Sequence, residues 1–341
     1  MKILNSLFVV FSLATLTSCS NSTPAYLTPF RPVEKLQDSV QSFEPKVDIL
    51  FVVDDSGSMA THQTRFGQNI DKFTSVFLKS SVLEYNVGVI TTTYDSTYYG
   101  TINCCGRLVG TTRIVTKKTP NGNRVLAENL LVGIYGDGTE KMFDPTYLAL
   151  TEPTLSTYNA GFYRPEASLV TIFISDAEDQ SEIISSELLF KHMLNLKSGD
   201  KTKVLSYGAI VPSSDPGTNC SRDENNVLPT KLESFLMMFK NRNSNIMNLC
   251  DSDFGTRLAG LATDIIENTG RVILLNRPPD VSSIAVTYGD ADLPHDSEMG
   301  WIFDPARNSI VLGKKIQWEA QPEGSKIKVY YNAAQYEVLS R

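Results

Sequence analysis

The sequence predicts an α/β fold: a mostly parallel, doubly wound sheet with helices on both faces, followed by a small all-β domain. Two observations predict the first part. Near-continuous apolar runs of strand length recur at residues 47–53, 169–174 and 203–211, a pattern suited to parallel strands buried on both faces. Between them lie stretches of helical period, such as Phe66, Ile70, Phe73 and Phe77 at steps of four, three and four, which mark one face of an amphipathic helix. The third observation predicts the second part. Beyond Arg277-Pro278-Pro279 come short alternating segments around Ile284, Val286 and Tyr288, then 310–312, 316–318 and 327–331. Separated by Gly and Pro turns, they read as short strands.

In chain order, residues 1–18 read as a signal peptide. Lys2 precedes an apolar stretch, 3–16, shorter than the ~20 residues of a spanning helix and suited to a secretory h-region. Leu16-Thr17-Ser18-Cys19 resembles the lipobox of bacterial lipoproteins. That resemblance implies cleavage before Cys19, lipid on its sulfur and a stable membrane anchor. With Ser20 next, it implies the outer membrane, leaving open the periplasmic or the cell-surface face. Residues 19–45, rich in Ser, Thr and Pro, read as a tether, with residues 40–43 able to add an edge strand. The α/β domain is expected over 46–276. Its elements are the strand at 47–53, the loop 54–58 and its helix, and a strand at 85–92. An edge excursion at 97–117 and a turn at 119–122 follow, then helices at 125–134 and 140–150. The strand at 169–174 leads to a helix with Ile184, Leu188 and Leu189 inward. After the strand at 203–211 come a Cys-bounded insertion (212–252), a helix around Leu258, Leu261, Ile265 and Ile266, and a closing strand at 271–275. Residues 277–341 form the β-rich domain. Its core is marginal for ~65 residues, so it should lean on the first domain or borrow a strand from residues 30–45.

The charge balance, 31 Lys and Arg against 38 Asp and Glu, gives −7; without residues 1–18, which contain Lys2 and no acid, it is −8 (30 against 38). No basic run exceeds the pair Lys117-Lys118. Nucleic acid is therefore not an expected partner, since phosphate binding needs clustered cations. Of five Cys, four follow Cys19 and allow three pairings. Cys220–Cys250, flanking a polar loop and a short helix, is the expected disulfide. Cys104-Cys105 is either a vicinal disulfide or reduced. Three His, none near that pair, and no Cys-x-x-Cys argue against a structural zinc site.

The chemistry centres on Asp54-Asp55-Ser56-Gly57-Ser58, an Asp-x-Ser-x-Ser loop joining a buried strand to an amphipathic helix. Asp176 ends a later strand. In open α/β sheets ligands bind beyond the carboxyl ends of the strands, so both aspartates are site candidates. Here the sequence resembles the von Willebrand factor A (vWA) family and its metal ion-dependent adhesion site (MIDAS), over about Val47 to Leu275. The resemblance rests on Val-Asp-Ile-Leu-Phe-Val-Val-Asp-Asp-Ser-Gly-Ser-Met (47–59), Gly136-Asp137-Gly138-Thr139-Glu140 and Ile172-Phe173-Ile174-Ser175-Asp176. It implies hydroxyl ligation of a divalent cation by Ser56, Ser58 and Thr139, with Asp54 and Asp176 holding coordinating waters. The implied cation is Mg²⁺, with Mn²⁺ and Ca²⁺ open. The implied partner is a protein presenting an Asp or Glu carboxylate. Neutral first ligands leave the ion's charge largely uncancelled and so suited to an incoming acid.

Competing readings stand beside this one. Asp54, Ser56 and Ser58 are also helix-capping types. Asp179 reads as a helix-start residue, and Asp55 and Glu178 as rim residues. The Thr91-Thr92-Thr93 run rivals Thr139. His62, His192 and His295 read as surface or partly buried polar groups; Phe66, Phe73 and Phe77 read as core. No Gly-x-Ser-x-Gly, His-Glu-x-x-His or phosphate loop is present, so an enzyme is not expected. The expectation is a lipid-anchored, adhesin-like envelope protein; the alternative is an envelope scaffold or assembly protein whose site is structural or degenerate.

Overall fold

The computed structural model describes residues 40–77, 83–94, 104–215, 222, 227–239, 245–269, 271–316, 321–322 and 325–334. The signal peptide, Cys19, most of the tether, Cys220 and Trp318 lie outside the described residues. No helix among the described residues is long and apolar enough to cross a membrane.

The chain enters through an edge strand, β1 (Val40–Phe43), and then builds a six-stranded sheet from β2 (Lys46–Val53), β3 (Glu84–Thr91), β4 (Val115–Thr116), β5 (Ser168–Ser175), β6 (Val204–Ile210) and β7 (Ile246–Asn248). The spatial order is β4-β3-β2-β5-β6-β7. Every pairing is parallel except the edge pair β3–β4. Burial on both faces explains the unbroken apolar runs. Ile49, Phe51 and Val53 point into one core, with Phe66, Phe73 and Leu258. Leu50 and Val52 point into the other, with Phe143, Phe173 and Phe235. The polar interruption of the first run, Asp48, is fully buried and accepts from the backbone N and Nε of Arg164 at 2.6 and 2.8 Å.

The helices are α1 (Ala60–Phe77), α2 (Gly122–Leu130), α3 (Phe143–Ala149), α4 (Ser186–Leu196), α5 (Thr230–Leu236) and α6 (Phe254–Thr269). On one face α1 packs on α6, where the rings of Phe66 and Phe254 lie 6.2 Å apart; α3, α4 and α5 supply the other face. In α4 the inward positions are Leu189 and Met193, four apart. Leu188 is 44% exposed, against the expectation, because the buried stripe runs through Leu189 and Met193 and Leu188 falls outside it.

The closing strand also departs from expectation. β8 (Val272–Leu274) does not extend the parallel sheet, because β7, from the Cys-bounded insertion, takes the place beside β6. β8 instead pairs antiparallel with β12 (Ser309–Leu312), which pairs with β11 (Trp301–Asp304). Facing this three-stranded sheet is a second, in the order β1-β13-β9-β10, with β9 (Ala285–Tyr288), β10 (Ala291–Leu293) and β13 (Ile327–Tyr330). Ile273, Val286, Tyr288, Trp301, Ile310 and Val329 fill the core. The small β-unit thus takes strands from both flanks of the α/β unit, β1 from the tether and β8 from after α6.

What this positions is a crevice. From β2 the order runs outward through β3 and β4 on one side, and through β5, β6 and β7 on the other. β2 and β5 are therefore the strands at which the winding reverses, and the loops leaving their carboxyl ends diverge. Those loops begin at Asp54 and Asp176.

Candidate metal centre

Asp54 is fully buried and held on three sides. Its backbone N donates to Ile174 O of β5 at 2.9 Å. Its Oδ1 accepts from Ser56 N at 2.9 Å and its Oδ2 from Ser175 Oγ at 2.6 Å. Burial pushes the Asp54 carboxyl pKa up, and the bonds from Ser175 and Ser56 oppose that. Residues 57–59 form a short 3-10 turn leading into α1. Ser56 occupies its N-cap position, yet its side chain makes no cap bond. Its Oγ instead lies 3.0 Å from Ser58 Oγ, and Ser58 Oγ donates to Asp176 Oδ1 at 3.0 Å. The capping reading thus fails for Ser56. Asp54, Ser56, Ser58 and Asp176 form one connected set across the two loops, with Asp176 1% exposed.

Thr139 lies in the loop before α3. Its amide donates to Asp137 Oδ1 at 3.0 Å. Among the described residues no hydrogen bond joins its hydroxyl to Ser56, Ser58 or either aspartate. The loop is nonetheless tied to the site, because Gly136 N donates to Asp55 O at 2.7 Å. A Cβ at Gly136 would meet Asp55 Cγ at 2.3 Å, which leaves room only for glycine.

Asp55 is not a rim residue: it is 8% exposed. Its Oδ1 accepts from Thr92 Oγ1 at 3.2 Å and from Thr93 Oγ1 at 3.0 Å. Burial pushes its carboxyl pKa up to about 6; the Thr93 bond opposes the shift and the charge of Asp54 adds to it. The threonine run after β3 therefore holds Asp55. Glu178 is no rim residue either, since it accepts from the backbone N of Lys231 and Leu232 at 2.6 and 3.0 Å, at the start of α5. Asp179 accepts from the backbone N of Met142 and Phe143 at 2.7 and 3.0 Å, at the start of α3, and pairs with Lys231 at 2.6 Å. The loop after β5 is thereby fastened to two helix N-termini.

His62 was expected at the surface or partly buried; it is 5% exposed, with Nε2 3.7 Å from Asp176 Oδ2. The signal for it lay in helical geometry: four residues beyond Ser58, it recurs one turn along the same face. His192 is half-buried against Tyr147, ring centroids 4.4 Å apart. His295 packs on Trp301, 4.7 Å between centroids. Cys104 and Cys105 form a vicinal disulfide with Cα atoms 3.7 Å apart, and Cys105 N donates to Thr93 O at 3.2 Å. Cys250 is disulfide-bonded; its expected partner, Cys220, lies outside the described residues.

The donor set fits a hard divalent cation. Cis ligands on bonds of about 2.1 Å lie about 3.0 Å apart, the spacing found between Ser56 and Ser58 and between Ser58 and Asp176. Two carboxylates that are themselves buried also match a positive ion. Among the described residues no group of three or more His, Cys, Asp and Glu forms a metal cluster, so any ion here depends on hydroxyl oxygens.

No protein-family model matches the chain, and no curated protein matches it. Solved structures do. The pilus adhesin SpaC from Lactobacillus rhamnosus GG aligns at 12% identity and a TM-score of 0.43, covering 86% of this chain and 40% of the adhesin. Proximal thread matrix protein 1 from the mussel byssus, with a zinc-occupied MIDAS motif, aligns at 11% identity and a TM-score of 0.40, covering 69% of this chain and 50% of that one. A von Willebrand factor type A protein from Catenulispora acidiphila aligns at 12% identity and a TM-score of 0.36, covering 85% and 59%. The chain spans about two fifths of the adhesin's length. The architecture itself is a mostly parallel sheet between helices, with added β-sheets from the C-terminal part.

Proposed function

We propose that this chain is a lipid-anchored envelope protein that binds an acidic partner through a divalent cation held by the Asp54–Ser58 loop and Asp176. The observation that carries the reading is the Ser56 hydroxyl. An N-cap serine ordinarily turns its oxygen to the helix, whereas this one lies beside Ser58 Oγ at 3.0 Å. Two neutral oxygens thus stand together with a buried carboxylate on either side.

Each residue has a task in that reading. Ser56 and Ser58 are direct oxygen ligands. Asp54, kept in place by Ser175, and Asp176, reached by Ser58, supply compensating charge and orient ligands from one shell out. Thr139 joins from its loop when an ion is bound. The cation, with neutral ligands around it, supplies an electrostatic seat for an Asp or Glu side chain of a partner protein. The role is binding and not catalysis. Anchoring through Cys19 at the outer membrane would present the site to such a partner.

Calorimetric titration with Mg²⁺ and Mn²⁺ tests the reading. Wild type should bind one equivalent, and Ser56→Ala/Ser58→Ala should lose at least about tenfold in affinity, since first ligands matter no less than the outer partners whose loss costs 10–100-fold. Equal affinity in the two proteins would discard the site.

A further inference from the structure

We propose that His62 is an imidazole ligand of this centre and turns its preference from Mg²⁺ toward Zn²⁺. The inference rests on the metal reading above and names the ion that the site takes.

His62 is 5% exposed, and its Nε2 is 3.7 Å from Asp176 Oδ2. That separation puts the two side chains in direct electrostatic contact. It falls between the ~3.0 Å and ~4.2 Å that separate two ligands of one ion at right angles and opposite each other, for bonds of about 2.1 Å. The other two spacings of the set, Ser56–Ser58 and Ser58–Asp176, are both 3.0 Å and fall in the same window. With an imidazole in the set, Asp176 moves from the outer shell to the ion itself, and Ser56, Ser58, Asp176 and His62 form a chain in which each successive spacing is one that a shared ion can bridge.

The turn of α1 that carries His62 is pinned by its neighbour. Gln63 Nε2 donates to Asp54 O at 3.0 Å and to Gly133 O at 2.5 Å. Gln63 Oε1 accepts from Gly133 N at 3.2 Å. His62 is therefore held relative to the metal loop by a side chain bonded to that loop's first residue, the kind of support that fixes a ligand before an ion arrives. Oxygen ligands alone suit Mg²⁺, Mn²⁺ and Ca²⁺, whereas a nitrogen ligand favours Zn²⁺ and its first-row neighbours.

The test compares wild type with His62→Gln, a change that keeps much of the buried volume. The full chain is titrated by calorimetry with Zn²⁺ and, separately, Mg²⁺. Mn²⁺-loaded wild type is probed by pulsed EPR for hyperfine coupling to ¹⁴N. Zn²⁺ outranks Mg²⁺ at most sites, so the difference between the two proteins is the readout. The expected result is an imidazole ¹⁴N coupling in wild type, a loss of about 10- to 100-fold in Zn²⁺ affinity in His62→Gln, and Mg²⁺ affinity changed by less than about twofold. Cation binding with no ¹⁴N coupling, or a Zn²⁺ affinity that His62→Gln leaves unchanged, would overturn the inference and leave an oxygen-only site. Equal losses for both ions would also overturn it, reducing His62 to a structural role. No binding of any cation by wild type would overturn the metal reading itself. Should His62→Gln fail to fold, the wild-type ¹⁴N coupling alone decides.

Discussion

Asp54 keeps a carboxylate in a place closed to water, so each of its oxygens needs a donor from the protein. Ser175 meets one of these needs and uses its other valence on the backbone, accepting from Ala177 N at 2.9 Å. Ser175→Ala would leave a buried carboxylate oxygen and a buried N–H short of partners. The expected cost is about 1–3 kcal/mol of stability, read as a lower urea midpoint at unchanged slope, together with weaker cation binding. An unchanged midpoint would show that the carboxylate finds another donor. At His192 burial holds the imidazole pKa below its ordinary value, against a bond to Leu150 O that raises it. The unfolded chain then takes up a proton that the folded one resists, so stability falls as pH drops through the ordinary histidine value of about 6.5. His192→Gln should flatten that part of the stability profile between pH 7.5 and pH 5.5; parallel profiles would contradict the assignment. That Asp54, Ser56, Ser58 and Asp176 stand together was legible because each lies at or just beyond the carboxyl end of an apolar strand run. Asp55 and His62 were misread because their roles depend on what packs above them, the threonines after β3 and the loop after β5.

At the scale of elements, the loop after β5 joins site to scaffold. Asp176 faces the metal loop, Glu178 caps α5 and Asp179 caps α3. Three acids within four residues thus hold three different things, and the cap bonds fix where Asp176 stands. Asp179→Ala removes the acceptor of two helix N–H groups and leaves the half-buried Lys231 ammonium without this carboxylate. The expected loss is about 2–3 kcal/mol, with faster amide exchange at Met142 and Phe143 than elsewhere in α3. Protection equal to wild type at those two amides would contradict the capping role. Strands β2, β5 and β6 were legible because each is buried on both faces, which leaves an unbroken apolar signature. Helix limits were less so: 125–134 was expected where α2 is Gly122–Leu130, and 140–150 where α3 is Phe143–Ala149. No side chain caps either helix from its own N-cap position. The caps of α3 come from Asp179, 36 residues away from Phe143, and no local pattern announces a partner that distant.

For the whole molecule, the winding order puts the metal loop and Asp176 at the reversal point of the sheet, while β1 and β8 tie a small β-sandwich to the same chain. The α/β class was legible from periodicity alone. The exchange of β8 for β7 at the sheet edge was not, since a short apolar run of residues 271–275 suits either sheet and only pairing decides between them. An ion at the reversal point would link the loops from β2 and β5, so above its Kd its presence should stabilise the fold with the logarithm of its concentration. The most direct measurement is anomalous diffraction at the manganese edge from crystals soaked in Mn²⁺. The account predicts a peak in contact with Ser56 Oγ and Ser58 Oγ and near Asp176. Well-ordered serines with no peak beside them would contradict it, leaving an α/β fold whose Asp-x-Ser-x-Ser loop is a purely structural turn.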